Sequence, residues 1–152
     1  MSRKPILCLD FDGVIHSYTS KWEGAHVIPD PPVNGALVAL LGYAKDYEVS
    51  IFSSRSKSLR GRRAMKKWLM QNLYEYFLTR PFEEYLQYVD NPFDQDDDRL
   101  AKEAARDFVK CDLSWPWFKP PASVSIDDRA LTFDGTWPEV GALKSFKPWN
   151  KK

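Results

Sequence analysis

Apolar residues in this chain follow two rhythms. Short continuous runs at Pro5–Leu9, Glu48–Phe52 and Ala122–Ile126 end in turn formers, the pattern of strands buried on both faces of a parallel sheet. Longer stretches carry apolar residues at helical spacing. Val33, Ala36, Leu37, Leu40, Leu41 and Ala44 make one stripe behind Pro31-Pro32, which suits a helix start. Met65, Trp68, Leu69 and Leu73 make another, in a helix expected from about Ser58 to Phe77, with Arg62, Arg63, Lys66 and Lys67 on the opposite face. Arg99 to Lys110 predicts a further amphipathic helix, Leu131-Thr132-Phe133 a short fourth strand, and Pro138 to Leu143 a last short helix. The Lys-rich tail is expected to fray. Ile15 to Pro32 has no helical period and reads as a loop or small hairpin, a flap after the first strand. Thr79 to Trp115, broken by Pro81, Pro92 and the acidic run Asp94–Asp98, reads as a small helical insert. Strands alternating with helices predict one α/β domain spanning 1–152, with a mainly parallel central sheet covered on both faces.

Composition adds bounds rather than direction. At 152 residues and 43% hydrophobic content, the chain is long enough to bury a core without staples. A net charge of +1 gives no global bias toward nucleic acid or membrane, so local patches must carry any such case. Cys8 and Cys111 form neither a metal-ligand spacing nor a disulfide framework. No secretory signal is visible, because Asp10 and Asp12 interrupt the first apolar stretch. No run approaches membrane-spanning length, and a cytoplasmic setting is the expectation.

The chemistry gathers where the strands end. Asp10-Phe11-Asp12-Gly13-Val14, Ser53-Ser54-Arg55 and Asp127-Asp128-Arg129 each follow an apolar run. In an open α/β sheet, residues just past the carboxyl ends of parallel strands converge on one crevice. Carboxylates gathered there repel one another unless a cation sits among them, which points to a magnesium-dependent phosphoryl-transfer site. Two acids spaced by one residue point the same way. One, ionised, can attack phosphorus. The other, kept protonated by its like-charged neighbour, can donate to the leaving oxygen and later activate water. Gly13 permits a sharp turn away from the strand. Ser53 can bond a phosphate oxygen, and Lys119 can neutralise charge on the phosphoryl group as it transfers.

Together these residues resemble the haloacid dehalogenase superfamily of phosphohydrolases, in its small, capless type. The apolar strand with Asp10-Phe11-Asp12-Gly13 is similar to that family's first motif, Ser53 to its second, Lys119 to its third and Asp127-Asp128 to its fourth, in the family's order. The resemblance runs from about Pro5 to Phe133 and omits the 79–115 insert. It implies a three-layer Rossmann-like fold, with Asp10 as nucleophile and Asp12 as general acid/base. It further implies Mg2+ held by Asp10, Asp127 and Asp128 and by the main-chain carbonyl of Asp12. An acid at position 12 implies phosphatase rather than dehalogenase chemistry. Asp127-Asp128-Arg129 also resembles the last motif of polynucleotide kinase phosphatase domains.

The flap is too short for a full cap, so an open site is expected, with His16, Tyr18, Lys21, Trp22 and His26 near the substrate. Gly13, Ser54, Arg55 and Arg129 are the candidate substrate-binding residues. Arg55 opens the basic run that continues through Lys57, Arg60, Arg62, Arg63, Lys66 and Lys67. That run either meets a phosphate-rich ligand or forms the solvated face of a helix, with the acidic run as its partner. Trp115, Trp117 and Phe118 either stack a base near Lys119 or fill the sheet edge. The expected function is hydrolysis of a phosphate monoester through an aspartyl-phosphate. The alternatives are a phosphatase of nucleotide or nucleic-acid ends (3′ or 5′) and, in another class, a catalytically inactive binding module on the same scaffold.

Overall fold

The computed structural model of the chain describes residues 3–81, 86–89 and 96–151. Its centre is a sheet of β1 (Ile6–Leu9), β2 (Glu48–Ile51), β3 (Leu113–Ser114) and β4 (Val124–Ile126), in the order β3-β2-β1-β4. Every pairing is parallel. Helices α1 (Ala36–Asp46), α2 (Leu59–Leu78), α3 (Asp97–Asp107) and α4 (Val140–Ser145) complete an α/β fold compatible with a Rossmann-like domain.

Register sets the site. Leu9 pairs with Ile51 on one side and Ile126 on the other. The bonds Asp10 N–H to Ile126 O (2.9 Å) and Phe52 N–H to Leu9 O (3.0 Å) carry both ladders one residue further. Asp10, Ser53 and Asp127 therefore leave the sheet at nearly one level. The chain steps from β1 out to β2 and β3, then crosses back to β4 on the other side of β1. That reversal is a topological switch point, where diverging loops leave a crevice at the carboxyl ends.

Leu7, Leu9, Val49 and Ile51 of the sheet are buried with Met65, Leu69, Leu73 and Phe77 of α2 and Leu100, Ala101, Ala104 and Ala105 of α3. The four-residue spacing along α2 keeps its buried side chains on one face. Ser58 caps α2 by accepting the Gly61 N–H at 3.3 Å. Gly61 is required for close approach, since a Cβ there would stand 2.4 Å from the Arg55 carbonyl oxygen.

Several expectations need correction. Helix α1 begins at Ala36, because Pro32 bridges His16 and the Val33 N–H bonds the Ile15 carbonyl at 2.8 Å. Residues 31–33 thus run extended along the flap. The described part of 79–115 is no appended insert: α3 packs its apolar face on α2, and β3 pairs with β2. Residues 82–85 and 90–95, including Pro92 and Asp94, lie outside the described residues. The rest of the acidic run serves α3 itself. Asp96 caps it through the Arg99 N–H at 3.1 Å, and Asp98 accepts from Lys102 at 2.7 Å and from the Tyr74 hydroxyl.

Val124 and Ile126 are half exposed, since β4 is an edge strand. Leu131–Phe133 is exposed loop rather than strand. The tail does not fray at 149–151. Trp149 Nε1–H donates to the Gly13 carbonyl at 2.7 Å, Asn150 Nδ2–H to that of Ser17 at 3.1 Å, and Lys151 Nζ to that of Tyr18 at 3.2 Å. Among the described residues, no helix is long and apolar enough to cross a membrane.

Candidate functional site

Asp10 is held at the end of β1 by its own chain, its Oδ1 accepting the Phe11 N–H at 2.8 Å. Asp127 is fixed in the same way at the end of β4, where Oδ1 accepts the Arg129 N–H at 2.8 Å. Asp10, Asp127 and Asp128 each offer a carboxylate oxygen, and these atoms lie within 4.8 Å of one another. The Asp128 side chain is only 1% exposed, and neither of its oxygens accepts a hydrogen bond. Arg129 Nε stands 3.9 Å from Asp128 Oδ2, too far for a hydrogen bond.

A buried carboxylate without a partner costs several kcal/mol by order of magnitude. Three oxygens from separate carboxylates, the one from Asp128 without a hydrogen-bond partner, form a hard-donor set that fits a divalent cation such as Mg2+. The surrounding charges agree. Burial, and then the charges of Asp127, Asp128 and Asp12, push Asp10 up to about 7 against the opposing Phe11 bond. Burial likewise raises Asp128, with Arg129 opposing.

The sign of the pH effect follows. From pH 3.8 to about 7 the folded chain keeps a proton on Asp10 that the unfolded chain has released. Stability of the metal-free protein therefore falls as pH rises through that window, by up to about 1.4 kcal/mol per pH unit. Thermal melts should show Tm dropping from pH 5 to pH 7.5, and Mg2+ should raise Tm more at the upper pH. Melting points that rise with pH without metal would contradict this electrostatic picture.

Gly13 shapes the trio from behind. Its φ is +85°, a left-handed turn that favours glycine, and a Cβ would stand 2.3 Å from Asp128 Oδ2. It is not among the residues that line the cavity, and the absence of a Cβ there admits the Asp128 carboxylate. Gly13→Ala is expected to displace Asp128 and abolish the Mg2+-dependent rise in Tm; an unchanged rise would contradict this packing.

Asp12 is placed elsewhere. Its carboxylate stands outside the trio, accepting from Arg55 Nε (2.8 Å to Oδ2, 3.1 Å to Oδ1) and from His16 Nδ1 (2.8 Å to Oδ1). His16 Nε2 accepts the Asp30 N–H at 3.1 Å, so the proton that bonds Asp12 sits on Nδ1. Burial acts to raise Asp12, yet the His16 and Arg55 hydrogen bonds outweigh it and hold the carboxyl below its ordinary value. The expected pattern is thus reversed at rest: the first acid of the couplet holds its proton near neutrality and the second is ionised. The cause is two buried donors that motif spacing does not reveal.

Arg55 also departs from expectation. It is 1% exposed, and its Nη1 donates to the carbonyls of Gly24, Ala25 and Val27 at 2.9–3.1 Å. It is not a substrate-facing arginine. Ser53 caps the short 3-10 turn Ser54–Lys57, its Oγ accepting the Arg55 N–H at 3.0 Å, while the hydroxyl reaches Met65 Sδ at 3.7 Å. It borders the cavity but is committed to the turn.

Asp10, Asp12, Ser53, Ser54, Lys119, Asp127 and Arg129 all line one open cavity of about 300 Å³, with Cys8, Phe52 and Ile126 as apolar wall and Tyr18 and Trp22 at the flap side. Lys119 and Arg129 are exposed there, Arg129 lying over the Tyr18 ring at 5.9 Å. Of the other flap residues, His16 is fully buried, and Lys21 and His26 are exposed outside the cavity wall. The basic face of α2 is partly occupied: Arg62 lies 3.9 Å from the Trp117 ring and donates to the Trp115 carbonyl. Trp115 is core, its indole N–H bonding the Val109 carbonyl at 2.9 Å, whereas Phe118 is exposed. Tyr18 keeps a positive φ of 53°, a strained value for an aromatic residue. No protein-family model, curated protein or solved structure matches the chain.

Proposed function

We propose that the protein is a magnesium-dependent phosphatase that hydrolyses a phosphate monoester through an aspartyl-phosphate on Asp10. The observation that carries this reading is the carboxylate trio: Asp10 and Asp127 line the same cavity as Asp12, and the unpartnered buried oxygens of Asp128 stand behind them. Magnesium held by Asp10, Asp127 and Asp128 would supply the positive charge that keeps Asp10 ionised and draws in a phosphoryl group.

The chain's own residues then divide the work. An Asp10 oxygen attacks phosphorus as the bond from phosphorus to the leaving oxygen breaks. Asp12 passes its proton to that leaving oxygen, then takes one from the water that attacks the aspartyl-phosphate. Phosphate is released, and Asp10 carboxylate and protonated Asp12 are restored. Asp12 is ionised at rest, but a phosphoryl dianion entering beside it adds negative charge and favours the protonated form. Lys119 and Arg129, on the cavity wall, offset charge on the phosphoryl oxygens.

Purified protein should release phosphate from 4-nitrophenyl phosphate with Mg2+ and stop when a chelator is added. No release under either condition would favour the catalytically inactive binding module. A second reading, a phosphatase of nucleotide or nucleic-acid ends, is favoured by the Tyr18 and Trp22 rings beside Lys119 and Arg129, a combination suited to stacking a base next to its phosphate. Turnover of 3′- and 5′-phosphorylated oligonucleotides against sugar phosphates separates the two.

A further inference from the structure

We infer that Arg55 and His16 are positioning residues, which fix the Asp12 carboxyl toward the leaving oxygen and anchor it to the far arm of the flap. The inference rests on the phosphatase reading and extends it to residues outside the reacting set.

The geometry is specific. Asp12 Oδ1 takes two donors, His16 Nδ1 at 2.8 Å and Arg55 Nε at 3.1 Å, whereas Oδ2 takes only Arg55 Nε at 2.8 Å. With Oδ1 doubly occupied, Oδ2 is the oxygen with a lone pair to spare for proton exchange with the substrate. Rotation of the carboxyl would break all three contacts at once. Both donors are themselves fully enclosed and held from one stretch of flap. Arg55 Nη1 binds the carbonyls of Gly24, Ala25 and Val27, and His16 Nε2 accepts the Asp30 N–H. Trp22 lies across the guanidinium at 4.5 Å and borders the cavity. The flap is therefore the scaffold of the proton donor rather than only a cover. Holding a reacting group in one rotamer is what lets a carboxyl act at the distance proton transfer requires.

Two substitutions at His16 separate positioning from flap support. An asparagine amide nitrogen can replace Nδ1 as donor to Asp12, whereas a glutamine amide oxygen can replace Nε2 as acceptor of the Asp30 N–H. The readout is single-turnover release of the leaving group, which precedes the water-attack step that Asp12 also assists: phenyl phosphate, whose leaving group needs a proton, against 4-nitrophenyl phosphate, whose leaving group does not. His16→Gln should lower the single-turnover rate on phenyl phosphate about tenfold, with substrate affinity within about twofold and the single-turnover rate on 4-nitrophenyl phosphate nearly unaffected. His16→Asn should retain most of the phenyl phosphate rate. Arg55→Lys, which lacks Nε–H in that place, should change the substrate ratio in the same direction as His16→Gln. In an Asp12→Asn background, His16→Gln should leave the ratio where Asp12→Asn alone puts it.

Equal losses on the two esters, or glutamine retaining more rate than asparagine, would overturn the positioning role and leave the phosphatase reading standing. A wild-type protein inert toward both esters with Mg2+ would overturn the reading itself, and the positioning role with it.

Discussion

Asp10→Asn should abolish phosphate release while leaving the chain folded and, without metal, more heat-stable than wild type. An amide cannot serve as the nucleophile, so the covalent step has no acceptor and turnover should fall to background. Stability moves the other way because Asp10 is buried beside Asp127 and Asp128 and carries the cost of ionisation. Replacing it with a neutral isostere removes that cost and the repulsion, so the downward slope of Tm between pH 5 and 7.5 should be reduced to the part that Asp128 contributes. Loss of activity together with gain in stability marks a residue kept for chemistry. A variant with wild-type turnover would show the nucleophile is misassigned.

Asp12→Asn should lower turnover of phenyl phosphate by about 10²–10⁴-fold, the range removed with a general acid or base. Its effect on stability is opposite to that of Asp10→Asn. Arg55 is buried with its Nε directed at Asp12, so neutralising residue 12 leaves an enclosed guanidinium without its counter-charge. Removing one partner of a buried ion pair destabilises by about 3–5 kcal/mol. The asparagine carbonyl can still accept from Arg55, which places the expected loss at the lower end. Mg2+ should still raise Tm, because the trio that would hold it excludes the Asp12 side chain. A stable variant with an unchanged phenyl phosphate rate would contradict both the catalytic and the electrostatic assignment.

The chain states some of this in its residue order and conceals the rest. Continuous apolar runs ending in Asp10, Ser53 and Asp127 were sufficient to place the parallel strands and the crevice, since strand register leaves those positions level. Strand β3, two residues long, shows no period to read. The boundary of α1 was shifted by Pro32 and Val33 pairing with the flap, a long-range contact that no local propensity encodes.

Within the site, the acids were legible because charge at the end of an apolar strand is costly and conspicuous. The roles of Arg55 and His16 were not. An arginine that opens a basic run beside a strand end reads as substrate-binding, and only the folded flap shows three carbonyls turned toward its Nη1. Trp149 was equally opaque, lying 136 residues from the Gly13 carbonyl it bonds. A hint was available at Gly61, a helix-weakening glycine in the first turn of α2, whose close approach to the Arg55 backbone marks that region as packed rather than open.

The covalent step can be read directly. Protein quenched during turnover of 4-nitrophenyl phosphate with Mg2+ and then treated with borohydride should carry homoserine at position 10, found by peptide mass spectrometry, because borohydride reduces an acyl phosphate and spares free carboxylates. Full phosphate release with position 10 unmodified, or with the label on Asp12, Asp127 or Asp128, would contradict Asp10 as the phosphorylated residue.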